Sequence, residues 1–329
     1  MSTSPKIPII PKQYLLPFIL TTCCFSLWGF ANDFTNPLVK VFEQVFIITT
    51  GQASWLQFAF YTGYFCMAIP AVFFIRRYTY KAAIMLGLSL YAVGALITIP
   101  ASLTAQFALF CLASYIITYG LAFLETACNP YIIAMGSAET GTQRLNLAQS
   151  FNPIGSLAGM AVASLILAPN LEVTKVRAQI EAENPAAISY LVTDVSDLPA
   201  SASYSKDSGL VTLADGNSVT LYEDGIPDFA SVSGALDAAV PNVLKAMRAN
   251  EPEVFNQLQQ TDLSNVRGPY MVIAIVVAIF LLLFAYNKLP SFKSETEDPP
   301  FMEIVKRLKR RARFVEGVLA QLFYVGAQI

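Results

Sequence analysis

The sequence predicts an all-α membrane protein, a six-helix bundle of two inverted three-helix units followed by the start of a seventh helix. Three observations carry that expectation. Of 329 residues, 55% are hydrophobic and only 13% charged, too apolar for an ordinary water-soluble domain. Six apolar runs approach the ~20 residues that a spanning helix needs. An acid followed within four residues by Asn-Pro recurs in runs one and four (Asp33, Asn36-Pro37; Glu125, Asn129-Pro130), which cross in opposite directions, as inverted repeats require.

Several chemistries are excluded at the outset. The chain has no histidine, which removes the commonest metal ligand and general base. Its five cysteines, Cys23, Cys24, Cys66, Cys111 and Cys128, lie in apolar runs without CxxC spacing and read as small hydrophobes. No metal, cofactor, enzymatic activity or nucleic-acid partner is expected.

Residues 1–13 form a short polar terminus with Lys6 and Lys12. Spans one to five fill residues 14–167, as runs of about 14–39, 56–75, 82–99, 107–135 and 145–167. Run one is too long for a secretory leader, carries Trp28 and Asp33, and leads into further spans. Basic residues near span ends stay cytoplasmic. Lys6 and Lys12, then Arg76, Arg77 and Lys81, then Arg144 alternate with loops holding only Lys40 or no charge, so the amino terminus is expected inside.

Residues 168–269 then form an extracytoplasmic insertion. Between Leu167 and Gly268 there are six basic and fourteen acidic residues, a net of −8, which leaves +6 for the rest of the chain. Long loops translocate regardless of such charge. Within it, Gly209–Tyr222 reads as a hairpin around an Asp-Gly-Asn turn, and Val243–Gln260 as helical. The insertion reads as a tolerated loop, since length adds little closure entropy, in preference to a folded cap over the pore mouth. Span six is 270–288 and a cytoplasmic linker is 289–313. Its basic run Lys306, Arg307, Lys309, Arg310, Arg311 and Arg313 reads as a topology anchor. Residues 314–329 are sixteen residues of a seventh helix, too few to span, which reads as a truncated chain.

Only Asp33 and Glu125 place a carboxyl well inside a span, and no Lys or Arg lies deep in any of the six. An ionised acid at mid-depth costs roughly 2.5–3.5 kcal/mol, so such groups mark proton relays. Polar stripes accompany them at helical spacing. Span one carries Trp28, Asn32, Thr35 and Asn36 beside Phe25; span two carries Gln57, Tyr61 and Tyr64; span four carries Thr118, Glu125 and Asn129; span five carries Asn146, Gln149 and Asn152. Amides, hydroxyls and rings around a watery cavity suit a sugar, although any single stripe also fits interhelical bonding. Pro37, Pro130 and Pro153 are expected to kink their helices and free carbonyls toward that cavity.

Six strings carry a resemblance to a known family: LWGFANDFTNPLV from Leu27, QFAFYTGYF from Gln57, YKAAIMLGLSLYAVGA from Tyr80, LETACNPYI from Leu124, RLNLAQSFNPIGS from Arg144 and LAQLFYVGAQ from Leu319. The chain resembles the fucose permease branch of the major facilitator superfamily, the bacterial sugar:proton symporters, over spans one to seven. The resemblance implies twelve spans in two six-helix domains, a multi-pass protein of the bacterial inner membrane, and a monosaccharide and a proton as cargo. It makes Glu125 the proton-coupling carboxyl, with Gln149 and Asn152 in the cavity. It also implies a second half, or a second copy, to complete the transporter. One departure stands out: the family's aspartate is Asn36 here, with Asp33 a turn earlier, so either Asp33 takes over that role or Glu125 couples alone. The loop after span two keeps Arg76, Arg77 and Lys81 but lacks the superfamily's acidic residue. Two alternatives remain. A drug:proton antiporter is disfavoured because span five reads Asn152-Pro153-Ile154-Gly155; the other is a non-transporting membrane fragment or assembly partner.

Overall fold

A computed structural model describes residues 8–183, 203–205, 210–212, 218–220, 232–290, 292, 310, 311, 315–317, 319, 320 and 323. The chain divides into two compact units, Met1–Phe292 and Lys293–Ile329. Span one is α1 (Leu15–Val45), followed by a single turn, α2 (Thr50–Ala53). Spans two to four are α3 (Trp55–Arg77), α4 (Tyr80–Leu103) and α5 (Phe107–Ala134). Span five comprises α6 (Gly141–Gln149), α7 (Phe151–Ala161) and a π-helical turn at Val162–Leu167. After α8 (Glu172–Glu183) and α9 (Val232–Asn250), span six is the carboxy-terminal part of α10 (Pro252–Tyr286). The six helical segments are long and apolar enough to cross a membrane.

Local chemistry sets several of these ends. Thr49 and Gln52 cap α2 reciprocally, each side chain bonding the other's backbone N–H. The Thr79 hydroxyl accepts from the Ala82 N–H and starts α4. Arg76 and Arg77 fall in the last turn of α3, where positive charge suits the helix dipole.

The prolines do not act alike. α1 runs through Pro37 and α5 through Pro130 as single helices, although each proline leaves the carbonyl four residues earlier, on Asp33 and Thr126, without its helical donor. At Pro153 the helix is interrupted: the Gln149 carbonyl has no donor from residue 153, α6 stops at Gln149 and α7 resumes after Ser150.

Small residues set the closest helix contacts. A Cβ on Gly29 would collide with the Asn152 backbone and one on Gly155 with the Ser26 backbone, so α1 and α7 meet backbone to backbone. Gly87 and Gly120 play the same part between α4 and α5. Tyr270 then sets its ring edge on Phe34, centroids 5.3 Å apart, joining α10 to α1.

On the face that holds the amino terminus, Arg144 is fully buried and every N–H of its guanidinium is used. Nε donates to the Ile132 carbonyl (3.1 Å); Nη1 to the Ile9 carbonyl (3.1 Å) and Thr140 Oγ1 (2.7 Å); Nη2 to the Ile133 (2.7 Å) and Ser137 (3.1 Å) carbonyls. One cation thus ties the amino-terminal segment, the end of α5 and the following loop together. On the same face, Lys81 Nζ donates to the Asn287 carbonyl and Tyr131 Oη to that of Pro290, both at 3.0 Å. Phe292 makes ring contacts with Tyr14 and Tyr131, so residues 287–290 and Phe292 lie back against the bundle.

The opposite face departs most from the sequence expectation. α10 has 35 residues, about 52 Å at 1.5 Å per residue, well beyond a bilayer core of about 30 Å. The helix expected over Val243–Gln260 is divided at Glu251 between α9 and α10, and α10 runs on from Pro252 through the polar Pro252–Gly268 into span six. This extension holds the neighbouring ends: Gln259 Nε2 donates to the Val45 carbonyl (2.8 Å), Asn265 Nδ2 to the Asn170 carbonyl (2.7 Å), and Arg267 to Ser102 Oγ (3.4 Å). The fully buried Asp262 carboxylate accepts from the Glu172 and Val173 N–H groups and caps α8. Among the described residues of the insertion, α8 and the first part of α10 are therefore helical and bonded to the ends of the bundle. The insertion's hairpin is present as β2 (Leu210–Thr212) and β3 (Ser218–Thr220), paired Leu210 to Thr220, with β1 (Ser203–Ser205) alongside β2. The Asp-Gly-Asn turn lies outside the described residues. So do Lys6 and, in the basic run, Lys306, Arg307, Lys309 and Arg313. Of the seventh stretch, residues 315–317, 319, 320 and 323 are helical.

Candidate functional site

Glu125 lines a cavity of about 320 Å³, the lower end of the range for small-molecule sites. α5 contributes Ala122, Glu125, Thr126 and Asn129, the i, i+3, i+4, i+7 stripe of one helical face. α3 contributes Tyr64 and Ala68. Among the described residues no Lys or Arg lines this cavity, so none of them offers a cation to balance the carboxyl there.

The polar groups around it are arranged across helices. Asn129 Nδ2 donates to the Glu125 backbone carbonyl (2.9 Å), which leaves Asn129 Oδ1 to accept from Gln149 Nε2 (3.0 Å). Gln149, on α6, thereby joins span five to the cavity wall. The Tyr64 hydroxyl is buried beside Glu125 and Trp28 with no partner at hydrogen-bonding geometry. A hydroxyl so placed in a cavity wall can donate to a hydroxylated ligand or to cavity water.

Span one forms a second cluster. Asp33 Oδ1 accepts from Asn32 Nδ2 (3.4 Å) and Asn36 Nδ2 (3.3 Å), leaving Oδ2 for other donors. None of these three residues is in the wall of the Glu125 cavity. Trp28 is half-buried and tilted on Phe25, centroids 6.2 Å apart. Tyr61 is 40% exposed and Gln57 half-buried on α3; Asn146 is exposed on α6. Asn152 is half-buried and donates to the Phe25 carbonyl (3.2 Å), an interhelical bond that leaves its Oδ1 free of that contact.

Some members of the predicted stripes turn inward. Phe25, Thr35 and Thr118 are buried, the two hydroxyls bonding carbonyls of their own helices. Gly63 packs directly on Thr118, so this part of the α5 stripe is helix contact rather than cavity. Thr126, Ala68 and Ala122 are wall residues that the reading missed. Thr126 could have been found, since it completes the Ala122, Glu125, Asn129 face. No group of three or more potential metal-ligating side chains occurs among the described residues.

Residues 21–171 match the model of the Major Facilitator Superfamily. That stretch covers most of span one, spans two to five and every candidate site residue. It resembles a Major Facilitator Superfamily bundle. The chain is 39% identical over 322 residues to the L-fucose-proton symporter of Haemophilus influenzae, covering 98% of this chain and 60% of that protein. With the L-fucose-proton symporter of Escherichia coli it shares 30% identity over 321 residues, 96% of this chain and 58% of that one. A glucose/galactose transporter of Brucella abortus is 34% identical over 164 residues, half of this chain and 40% of the relative. The crystal structure of the superfamily transporter FucP in the outward conformation superposes with a TM-score of 0.65 at 29% identity, covering 96% of this chain and 61% of that one. The resemblance to the fucose permease branch is thus shown, and the chain spans about 60% of the length of these symporters. With six helices among the described residues long and apolar enough to cross a membrane, it is a multi-pass membrane protein.

Proposed function

We propose that this chain serves sugar:proton symport, the uptake of a fucose-, glucose- or galactose-type monosaccharide across the bacterial inner membrane, with its amino terminus in the cytoplasm. The observation that carries the reading is Glu125 in a cavity without a cation, flanked by the Tyr64 hydroxyl and the Asn129 amide. A carboxyl so placed is stable in the membrane when it can trade a proton with cavity water. Protonated Glu125 favours the sugar-loaded, outward-open state, and loss of the proton toward the cytoplasm releases the sugar. One charge crossing is worth about 2.3 kcal/mol per 100 mV, enough for roughly a fifty-fold sugar gradient.

Asn129, Gln149, Tyr64, Tyr61 and Gln57 supply donors and acceptors to sugar hydroxyls, with Asn146 and Asn152 on span five, and Trp28 offers a ring face to sugar C–H groups. On span one, Asn36 stands where the resemblance implies an aspartate and donates to Asp33. In this reading Asp33 takes over as the second carboxyl, oriented by Asn32 and Asn36. Span one packs on span five and span two on span four, the reciprocal pairing that two inverted three-helix units produce. Alternating access needs a second bundle rocking against this one, supplied by a second half or a second copy. Nothing in the relatives' names favours drug antiport.

The test is Glu125→Gln in proteoliposomes. Sugar counterflow should persist while proton-driven accumulation is lost. Accumulation at the wild-type level would exclude Glu125 as the coupling group.

A further inference from the structure

Among the described residues, span three contributes none to the wall of the Glu125 cavity, yet one of its side chains reaches span one next to that cavity. Tyr91, on α4, is 1% exposed, and its hydroxyl donates to the Leu27 carbonyl on α1 at 3.3 Å. Buried tyrosine hydroxyls take a partner. A carbonyl has two lone pairs, so the Leu27 oxygen can accept from Tyr91 and still serve the helical ladder of α1.

The backbone explains how a side chain of α4 passes α5. A Cβ on Gly120 would stand 2.4 Å from the Gly87 carbonyl oxygen and 2.7 Å from the Tyr91 amide nitrogen. Because Gly120 has no side chain, the turn of α4 that carries Tyr91 lies directly on α5, and the ring extends past it to α1. The far end of that ring is close to the site: Tyr91, Trp28 and Glu125 all lie beside the Tyr64 hydroxyl. The Leu27 carbonyl and the Trp28 N–H belong to one planar peptide unit. Holding the carbonyl therefore holds the Trp28 backbone, and with it the place from which the indole ring projects.

We propose that Tyr91 is a positioning residue for the sugar site, acting through the Leu27–Trp28 peptide to set where the Trp28 ring stands against Tyr64. Its effect on sugar rests on the reading of Trp28 as a stacking ring; its effect on the ring does not.

The chain has two tryptophans, Trp28 and Trp55, and Trp55 is exposed at the start of α3. In a Trp55→Phe background of the full chain in detergent micelles, Trp28 is the only tryptophan emitter. Tyr91→Phe keeps the ring and removes the hydroxyl. It should move the Trp28 emission to longer wavelength and make the indole easier to quench with acrylamide. Affinity for L-fucose, the sugar in the names of the two symporters above, should fall about fivefold, the worth of one net hydrogen bond. Ser89→Ala is the control, since Ser89 Oγ donates to the Met85 carbonyl within α4 itself (2.8 Å); it should change neither readout. Wild-type emission and quenching in Tyr91→Phe would overturn the proposal, and so would an equal shift in Ser89→Ala. A moved ring with unchanged affinity in Tyr91→Phe, where Trp28→Ala does weaken binding, would overturn it as well. If Trp28→Ala also binds L-fucose as the wild type does, the stacking reading of Trp28 fails and the placement of the ring by Tyr91 stands.

Discussion

Gln149 and Asn129 meet across two membrane spans, amide to amide at 3.0 Å. The contact matters because Asn129 also donates to the Glu125 carbonyl, so the α6 amide holds the cavity wall at the turn that carries the acid. Gln149→Ala should weaken sugar binding about fivefold, the worth of one net hydrogen bond near 1 kcal/mol. The proton-to-sugar ratio should stay unchanged. Binding titration together with flux measurement checks both, and a changed ratio would mean that Gln149 takes part in coupling.

Tyr64 offers a test that separates ligand contact from folding. Its hydroxyl has no side-chain or backbone partner at hydrogen-bonding geometry, so Tyr64→Phe should leave thermal stability unchanged or raise it by about 1 kcal/mol. Sugar affinity should fall in the same variant. A joint loss of stability and affinity would assign the hydroxyl to the fold instead.

Arg144 should tolerate no replacement. Removing its guanidinium strips partners from four backbone carbonyls and one hydroxyl, a loss of about 3–5 kcal/mol for a buried charged centre. Lysine has three donors on a single atom and cannot reproduce the planar fork, so Arg144→Lys should be nearly as unstable as Arg144→Ala. Melting curves in detergent decide it; a Lys variant within about 1 kcal/mol of the wild type would show that charge alone suffices.

Asp262 governs the docking of α8. Asp262→Ala removes the cap and should cost about 1 kcal/mol, read as faster amide hydrogen exchange at residues 172–179 than in the wild type. Asp262→Asn retains an acceptor and should lie between them. Unchanged exchange in the alanine variant would place the anchoring of α8 on its other contacts.

Legibility differed from residue to residue for physical reasons. Glu125 stood out because a charge in an apolar run is conspicuous in one dimension, and the structure puts it in a cavity wall. Thr118 and Thr126 look alike in the sequence, on one helix at compatible angles. The first is pressed against Gly63 and the second faces the cavity, a distinction that depends on the neighbouring helix. Arg144 looked like a loop charge that marks topology, yet two of its partners lie eleven and twelve residues away and a third at Ile9.

By itself the sequence determined six apolar runs near the length of a membrane span, the lack of histidine and the two carboxyls within apolar runs, since length and polarity are local properties of a chain. Tertiary structure alone decided which polar face lines a cavity and which meets a neighbour, how far α10 continues before the apolar stretch of span six, and that one buried guanidinium ties Ile9 to the end of α5. Those outcomes depend on partners brought together from distant positions, and no window along the chain contains both members of such a pair.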